Sequence, residues 1–250
     1  MKLKNKKVLI TGGTSGIGLA TVKLFLQEGA QVIIAGRNGE HLRQDLVDFD
    51  KTNWHFFSYD TSKINEIDRL ITFIQKEFTQ LDVAFLNAGI AKFAAIEDIT
   101  EELFDEVIQT NLKGLFFTLQ KISPLLNNPA SVILTSSSGT HKAHIGSSVY
   151  SASKAAVRNI ASTLSSEWVA RGIRVNVISP GSTDTALLGK LGVDGEQLEQ
   201  LKANLVAHIP HGRLIKSEEI AQAVLYLAAP GSESQIGTEI IVDGGAFLKV

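Results

Sequence analysis

Short apolar runs separated by segments with helical periodicity constrain the fold of this chain more than any other feature. Each run is rich in β-branched residues and continuously apolar rather than alternating, which is typical of strands buried on both faces. The runs are KVLIT (7–11), QVIIAG (31–36), WHFFSY (54–59), LDVAFLNAG (81–89), SVILTS (131–136), IRVNVIS (173–179) and TEIIVDGG (238–245). The alternation predicts an α/β fold: a doubly wound, seven-stranded parallel sheet with helices on both faces.

Charge and cysteine content limit the classes of function. The 250 residues include 24 Lys and Arg against 26 Asp and Glu, and no cysteine. Without an excess of positive charge, we expect a small-molecule substrate and neither nucleic acid nor membrane as a partner. The missing cysteines exclude disulfides, thiolate catalysis and Cys-based zinc sites. The basic start precedes an apolar run too short for a signal peptide or membrane span, so we expect a cytoplasmic protein.

The first predicted strand runs into a glycine-rich loop, TGGTSGIG (11–18), which apolar residues at helical spacing follow. A helix N-terminus presents free N–H groups and a partial positive charge, and glycines let a phosphate approach the backbone. The spacing Gly12-x-x-x-Gly16-x-Gly18 differs from the common G-x-G-x-x-G fingerprint. The loop predicts an anion site, and the alternative is a tight turn whose glycines serve packing alone.

Tyr150 and Lys154 lie four residues apart in SSVYSASKAA and so share one face of a predicted helix. A serine cluster, Ser136 to Ser138, ends the preceding predicted strand. Doubly wound sheets bind ligands at the carboxyl ends of their strands. A hydroxyl acid, a cation and a second hydroxyl there favour chemistry on a carbonyl group, whereas the pair alone would equally suit a tyrosine ring packed on a surface lysine stem.

These motifs stand in the order found in the short-chain dehydrogenase/reductase family, which the chain resembles over essentially its whole length. TGGTSGIG matches the cofactor loop, Asp60 the acid that holds the adenine amino group, NAG (87–89) the motif after the fourth strand, and SPGSTDT (179–185) the segment that grips the nicotinamide carboxamide. The resemblance implies a single Rossmann-like domain and a nicotinamide-dependent oxidoreductase. The expected cofactor-binding residues are Gly12, Thr14, Ser15, Gly16, Ile17, Gly18, Arg37, Asp60, Asn87, Ala88, Gly89, Tyr150, Lys154, Pro180, Gly181, Thr183 and Thr185.

The resemblance also implies four catalytic residues: Asn111, Ser137, Tyr150 and Lys154. Tyr150 acts as acid in reduction and base in oxidation, and we expect the Lys154 ammonium and the nicotinamide charge to lower its pKa. Ser137 donates to the carbonyl oxygen, with Ser138 as the alternative because the serines are consecutive. By resemblance, Asn111 holds a water that links Lys154 to solvent, and Lys154 also binds the nicotinamide ribose.

Four histidines need separate interpretation. His141 and His144 have the spacing of helical metal ligands, but neighbouring glycines favour a loop. We therefore expect no metal there, and side chains that face the substrate or are solvated. His208 and His211 lie in a proline-containing stretch and are interpreted as solvated loop residues.

The expected substrate pocket comprises the irregular segment 182–212, the 138–149 loop and the residues after Gly89. Its apolar side chains are Ile90, Phe93, Ile145, Leu187, Leu188 and Leu191. Few charges accompany them, so we expect a neutral, partly apolar ketone or secondary alcohol. The alternatives are a 3-oxoacyl thioester, a sugar or polyol, epimerase or dehydratase chemistry on the same fold, and a nucleotide-binding regulator without turnover.

The end of the second predicted strand bears on the choice of cofactor. An NAD enzyme of this architecture usually places a carboxylate there, whereas this chain has Gly36 followed by Arg37. The nearest acid, Glu40, is expected to start the next helix and face away. We therefore expect NADP(H) to be preferred and NAD(H) to be possible, although Ser15 supplies no second basic residue in the glycine loop. Thr183 is expected to add a side-chain contact to cofactor or substrate.

The remaining expectations concern organisation. Within the single domain we expect a cofactor-binding part at about 1–130, a catalytic and substrate part at about 131–250, and a substrate lid at 182–212. SEEIAQAVLYLAA (217–229) predicts a helix that Ser217 caps. By resemblance we expect a homotetramer, with a dimer as the alternative, and NLKGLFFTLQ (111–120) agrees because it is apolar almost all round.

Overall fold

The apolar runs form the strands of one parallel sheet in the computed structural model, which describes residues 1–185 and 195–248. The strands within these residues are β1 (Lys7–Thr11), β2 (Gln31–Gly36), β3 (Trp54–Ser58), β4 (Leu81–Leu86), β5 (Leu126–Thr135), β6 (Ile173–Pro180) and β7 (Glu239–Val242). Their order across the sheet is β3-β2-β1-β4-β5-β6-β7. The predicted doubly wound, seven-stranded parallel sheet is confirmed.

Helices connect the strands and cover both faces of the sheet. Their bounds are α1 (Gly16–Gln27), α2 (Leu42–Asp45), α3 (Ile64–Glu77), α4 (Glu101–Ile108), α5 (Leu115–Ile122), α6 (Ser148–Trp168), α7 (Gly195–Ala207) and α8 (Ser217–Ala228). A π-helical turn, Gln109–Gly114, joins α4 to α5. No helix in the described part of the chain is long and apolar enough to span a membrane.

The hydrophobic core lies on the two sides of the sheet because successive strand residues point to opposite faces. Leu9 and Ile33 point to the face that α3, α5 and α6 cover. Val8 and Ile10 point to the other face and pack with α1 and α8. Burial on both faces explains why the strands are continuously apolar in the sequence.

The strand order reverses between β1 and β4, the central pair of the sheet. Thr11 at the end of β1 pairs with Ala35 of β2 and with Leu86 of β4, so the three strands end at one level. Loops that leave these ends diverge to opposite faces and open a crevice, the usual ligand position in such sheets. The glycine loop and the NAG segment both start there.

The structure corrects several predicted boundaries. β5 begins at Leu126, five residues earlier than predicted. β4 ends at Leu86, and not after NAG, because the backbone N–H groups of Asn87 and Ala88 donate to a side chain instead of continuing the ladder. β7 ends at Val242, earlier than predicted. Ser217 is the first residue of α8 and not its cap: Lys216 holds the cap position, and its N–H donates to the Glu219 carboxylate at 2.9 Å.

Candidate active site

The glycine loop between β1 and α1 needs its glycines for two different reasons. Gly12 and Gly16 have φ of +64° and +50°, a backbone conformation that favours glycine. A Cβ at Gly18 would lie 2.0 Å from the Gly12 carbonyl oxygen, and a Cβ at Gly13 would lie 2.8 Å from Ile34 Cγ2. Close packing therefore requires glycine at 13 and 18. The turn at the N-terminus of α1 requires glycine at 12 and 16.

The threonine before the loop ties it to the end of β4. Thr11 Oγ1 accepts from the N–H groups of Asn87 at 3.1 Å and Ala88 at 3.2 Å. Asn87 Nδ2 donates to the Gly12 carbonyl at 3.2 Å, and Thr135 Oγ1 donates to Asn87 Oδ1 at 3.4 Å. The NAG segment therefore fixes the glycine loop. Sequence reasoning missed Thr11 and Thr135 because their partners are far away in the chain.

A cavity of about 410 Å³ opens over the carboxyl ends of β1, β2 and β4. The predicted residues around it are Gly12, Thr14, Ser15, Gly16, Ile17, Arg37, Asp60, Asn87, Ala88, Gly89, Ile90 and Thr185. Residues around it that the sequence did not indicate as cofactor-binding are Gly36, Asn38, His41, Tyr59, Thr61 and Thr110. Several of these residues are next to a predicted residue in the chain. The motif of that neighbour was the only sign in the sequence that they border the cavity.

Asp60 follows β3 at one end of this cavity and is held in a defined position. Its Oδ1 accepts from Ser62 N at 3.0 Å and from Ser62 Oγ at 2.7 Å. Burial alone would raise the pKa of Asp60, but these hydrogen bonds, with the charges of Lys63 and Arg37, hold that pKa below its usual value. The side chain is thus a carboxylate at neutral pH, able to accept a hydrogen bond from a ligand.

Ser137 and Tyr150 meet just beyond the carboxyl end of β5, and neither is among the residues that line the cavity. Ser137 follows β5, and its side chain is hydrogen-bonded to the Tyr150 hydroxyl while its Oγ accepts from Gly139 N at 3.2 Å. Ser138 begins a short 3-10 turn instead. The Phe93 ring lies edge-on to the Tyr150 ring, with centroids 5.5 Å apart. The contact with the tyrosine therefore favours Ser137 over Ser138.

The environment of Tyr150 differs from expectation. Burial raises the pKa of Tyr150, and the hydrogen bond with Ser137 opposes that rise without cancelling it. For the protein's own groups, the prediction of a lowered pKa is wrong. Sequence spacing placed a lysine near the tyrosine, but it could not weigh the desolvation of the hydroxyl.

Lys154 lies one helical turn after Tyr150 and is buried with its amine beside β5. Its Nζ donates to the Thr135 carbonyl at 3.0 Å, and burial lowers the pKa of Lys154 to about 8. The Ser136 hydroxyl donates to the Lys154 carbonyl at 2.8 Å, which ties α6 to β5. Near neutral pH the amine is therefore mostly protonated, yet close enough to its pKa to exchange protons.

Asn111 lies in the π-helical turn, fully buried. Its Oδ1 accepts from Ile90 N at 2.8 Å, and its Nδ2 donates to Ile90 O at 2.9 Å and Ser153 Oγ at 3.1 Å. The amide side chain thus fixes the segment after NAG and the helix of Tyr150. A π-turn is frequent at functional sites because it displaces helix hydrogen bonds.

Gly89 lies where Asn111 and Lys154 approach each other. A Cβ on Gly89 would be 3.1 Å from Asn111 Oδ1 and 3.2 Å from Lys154 Nζ. A side chain there would press on both groups. The NAG glycine therefore keeps the space around the lysine amine open.

A second cavity, of about 640 Å³, lies between the segment after β4 and the loop before α6. The Ala94 N–H donates to the Gly146 carbonyl at 2.9 Å and joins the two loops. Ile145 and His144 line this cavity and are exposed, as the sequence suggested. Of the other predicted pocket residues, Ile90 borders the first cavity and Phe93 is not among the residues that line either one. Leu187, Leu188 and Leu191 lie outside the described residues.

His141 borders the second cavity, which agrees with a side chain that faces the substrate, but hydrogen bonds and charges also hold it in place. Its Nε2 lies 2.9 Å from Glu239 Oε1 on β7, and Arg158 Nη1 of α6 lies 2.9 Å from the same nitrogen. Ser179 Oγ donates to Glu239 Oε1 as well, and the Phe247 ring lies edge-on to the imidazole. The cluster joins the turn after Ser137 to β6, β7 and α6. His208 and His211 are exposed, as predicted.

Thr183 lies in the segment after β6. Its hydroxyl donates to the Gly181 carbonyl at 2.9 Å and so stabilises the turn. Gly181 packs so closely on β7 that a Cβ would lie 2.6 Å from Asp243 Cβ. Pro180 ends β6 and is buried. Thr185 borders the first cavity. A Cβ on Gly16 would lie 3.0 Å from the Thr185 methyl group.

Comparison with known proteins agrees with this geometry. A family model described as enoyl-(acyl carrier protein) reductase matches residues 12–246. A 3-oxoacyl-[acyl-carrier-protein] reductase of Thermotoga maritima is 34% identical over 99% of this chain and 100% of its own length. The chain belongs to the short-chain dehydrogenase/reductase family. It is thus an NAD(P)-dependent oxidoreductase that acts on CH–OH or carbonyl groups of a small molecule.

Other members of the family show how widely its substrates vary. A glucose 1-dehydrogenase of Gluconobacter oxydans is 35% identical over 99% of this chain and 94% of its own length. The solved aldohexose dehydrogenase of Thermoplasma acidophilum is 26% identical and superposes with a TM-score of 0.89, covering 99% of this chain and 96% of that one. An actinorhodin polyketide ketoreductase solved with NADPH is also 26% identical, with a TM-score of 0.87 and 98% coverage of both chains.

Proposed function

We propose that this chain is a carbonyl reductase and alcohol dehydrogenase that prefers NADP(H) and acts on a neutral, partly apolar ketone or secondary alcohol. The observation that carries the proposal is the contact of Tyr150 with Ser137, one helical turn from the Lys154 amine, which lies beside Gly89 of the first cavity. A nucleotide-binding regulator would need the first cavity but not this tyrosine, serine and lysine together.

The first cavity fits a dinucleotide. The glycine loop and the N-terminus of α1 offer backbone N–H groups to a diphosphate, and the turns at Gly12 and Gly16 leave no side chain in its way. The Asp60 carboxylate would accept a hydrogen bond from the adenine amino group, Lys154 would hold the nicotinamide ribose, and Thr185 would contact the carboxamide. When bound, the nicotinamide supplies or accepts the hydride.

The protein's own groups then handle the proton. In reduction, Tyr150 Oη gives its proton to the substrate oxygen while Ser137 Oγ donates a hydrogen bond to that oxygen and holds it in place. The Lys154 ammonium, one helical turn away, would favour the phenolate that remains, whereas burial disfavours it. We propose that the Asn111 turn holds a water through which Lys154 exchanges protons with solvent.

The preference for NADP(H) rests on Arg37. The side chain is exposed at the rim of the first cavity, directly after β2, and no carboxylate precedes it on that strand end. A guanidinium can bind a phosphate with two charge-assisted hydrogen bonds. One such bond favours NADPH over NADH by roughly tenfold to a hundredfold. NADH remains a possible second cofactor.

The second cavity supports the substrate class. Ala94, Ile96 and Ile145 contribute apolar surface to it, although Lys142 and Glu97 also border it. A 3-oxoacyl thioester is the second candidate, which the 3-oxoacyl reductase among the relatives favours. The sugar dehydrogenases among them favour a sugar or polyol as the third.

The test follows the absorbance of the reduced nicotinamide with NADPH and a panel of carbonyl compounds. Neutral ketones should be reduced, and phosphorylated or carboxylated analogues of matched size should be poor substrates. Turnover of charged substrates alone would overturn the substrate proposal. Binding of NADPH without turnover of any carbonyl compound would favour the regulator instead.

We also propose a homotetramer, with a dimer as the alternative. Phe104 of α4 and Phe116 of α5 are 47% and 44% exposed, although large apolar side chains are usually covered.

The proposed division of the chain places cofactor binding at about 1–130, and catalysis and substrate binding at about 131–250. The proposed substrate lid is 182–212, of which residues 186–194 lie outside the described part. A cytoplasmic location remains our proposal.

A further inference from the structure

His41 lies at the rim of the cofactor cavity, on the same side as Arg37. It directly precedes the short helix α2, and the sequence analysis assigned it no role. Its Nε2 lies 2.7 Å from the Thr14 carbonyl oxygen in the glycine loop. The contact joins the loop after β2 to the loop after β1, the two segments that border the adenosine end of the cavity.

The contact determines the protonation of one ring nitrogen. A carbonyl oxygen only accepts hydrogen bonds, so Nε2 must carry a hydrogen. Nδ1 is then the nitrogen that a ligand can use. When the ring is protonated, both nitrogens donate and the side chain carries a positive charge.

Four charged side chains lie near the imidazole. Asp45 Oδ2, one turn along α2, lies 3.7 Å from Nε2. Arg37 lies across the rim of the same cavity, and Asp60 borders the cavity with its Oδ1 already held by Ser62. Glu40 adjoins His41 in the chain and is exposed. The rim therefore places an imidazole and a fixed cation at the same cavity.

We propose that His41 and Arg37 together form the site for the 2′-phosphate of NADP(H), with His41 in the place of the basic residue that the glycine loop lacks at Ser15. The inference rests on the proposed preference for NADP(H). His41 is 46% exposed, so its contribution is that of a partly screened charge-assisted hydrogen bond. The ligand feature that it recognises is a phosphate monoester on the ribose.

Direct binding of two fragments, adenosine 2′,5′-bisphosphate and 5′-AMP, isolates this feature without any turnover. Calorimetry on the whole protein measures both dissociation constants. His41→Gln keeps an amide N–H for the Thr14 carbonyl but can carry no charge. We expect it to weaken the bisphosphate roughly three- to thirty-fold and to change 5′-AMP by less than about twofold.

Two further variants separate charge from shape. His41→Arg restores the cation and should keep the wild-type ratio of the two constants. His208→Gln is the matched control, because His208 is also exposed and also places a ring nitrogen, Nδ1, 2.8 Å from a backbone carbonyl. It should bind both fragments as the wild type does.

The outcomes distinguish this inference from the proposed function. If the wild type binds both fragments equally, the preference for NADP(H) fails and this inference with it. If the wild type discriminates and Arg37→Leu loses discrimination while His41→Gln keeps it, the preference stands and His41 has no part in it. If His41→Gln and His41→Arg lost discrimination between the two fragments equally, the role of His41 would be purely structural. That result would also overturn the inference.

Discussion

At the scale of single residues, Arg37 is expected to determine the cofactor. Gly36→Asp would add a carboxylate as well as a Cβ 3.0 Å from Thr14 Cγ2, so it changes more than the charge of Arg37. Arg37→Leu removes the charge alone. We expect kcat/KM with NADPH to fall roughly tenfold to a hundredfold and kcat/KM with NADH to stay within about threefold. Arg43→Leu, at a nearby exposed arginine, should change neither.

Lys154 gives stability a pH dependence of defined sign. Its pKa is about 8 in the folded protein against 10.5 for an ordinary lysine, so between these values the unfolded chain holds a proton that the folded protein has released. The free energy of unfolding should therefore rise with pH there. From pH 8 to 9.5 we expect the wild type to gain about 2 kcal/mol relative to Lys154→Met.

Urea unfolding at each pH measures this difference. Lys76→Met, at a lysine that is mostly exposed, is the control and should keep the wild-type slope. The range stops at pH 9.5 because the raised pKa of Tyr150 acts in the opposite direction at higher pH. Parallel profiles for the wild type and Lys154→Met would refute the buried-amine account.

At the scale of elements, the glycine loop depends on packing as well as on conformation. A Cβ at Gly18 would lie 2.0 Å from the Gly12 carbonyl oxygen, a backbone atom that cannot rotate away. We expect Gly18→Ala to cost about 1 to 3 kcal/mol of stability and to lower the Tm by about 2 to 10 °C. NADPH affinity should fall with it. Calorimetric melting measures the shift.

Gly36→Ala is the control for this prediction. Gly36 also borders the first cavity. A Cβ on Gly36 would meet only the Thr14 side chain, at 3.0 Å, and φ of Gly36 does not lie in the left-handed region. Its Tm should stay within about 2 °C of the wild type. If Gly18→Ala melted no lower than Gly36→Ala, the close approach of the loop to itself would not limit stability.

The strands and the motif order could be predicted because both depend on local pattern. Continuous apolar runs mark strands buried on both faces, and TGGTSGIG and YSASK are contiguous. Two features that could not be predicted depend on distant partners: β4 ends where Thr11 accepts two N–H groups, and His141 is bound by Glu239 almost a hundred residues later. The start of α8 depends instead on near neighbours, because Glu219 accepts hydrogen bonds from Lys216 N and from the Arg213 guanidinium. The raised pKa of Tyr150 follows from burial, which spacing does not reveal.

At the scale of the whole molecule, exposed aromatic side chains on α4 and α5 bear on assembly. We expect light scattering at micromolar concentration to give the mass of a tetramer, or of a dimer. Phe116→Glu places a charge on the exposed apolar face and should lower that mass. Val47→Glu, at an exposed valine elsewhere, is the control and should not. A monomer mass for the wild type would contradict the proposed assembly.

The central claim is that Tyr150 transfers the proton while a nicotinamide exchanges hydride with the substrate. Tyr150→Phe removes only the hydroxyl and leaves the ring against Phe93. The decisive measurement is kcat for carbonyl reduction by this variant, with NADPH affinity and melting temperature measured on the same preparation. We expect kcat to fall by roughly 10² to 10⁴ while affinity and melting stay close to the wild type. A variant that kept more than about half of the wild-type kcat would contradict the account.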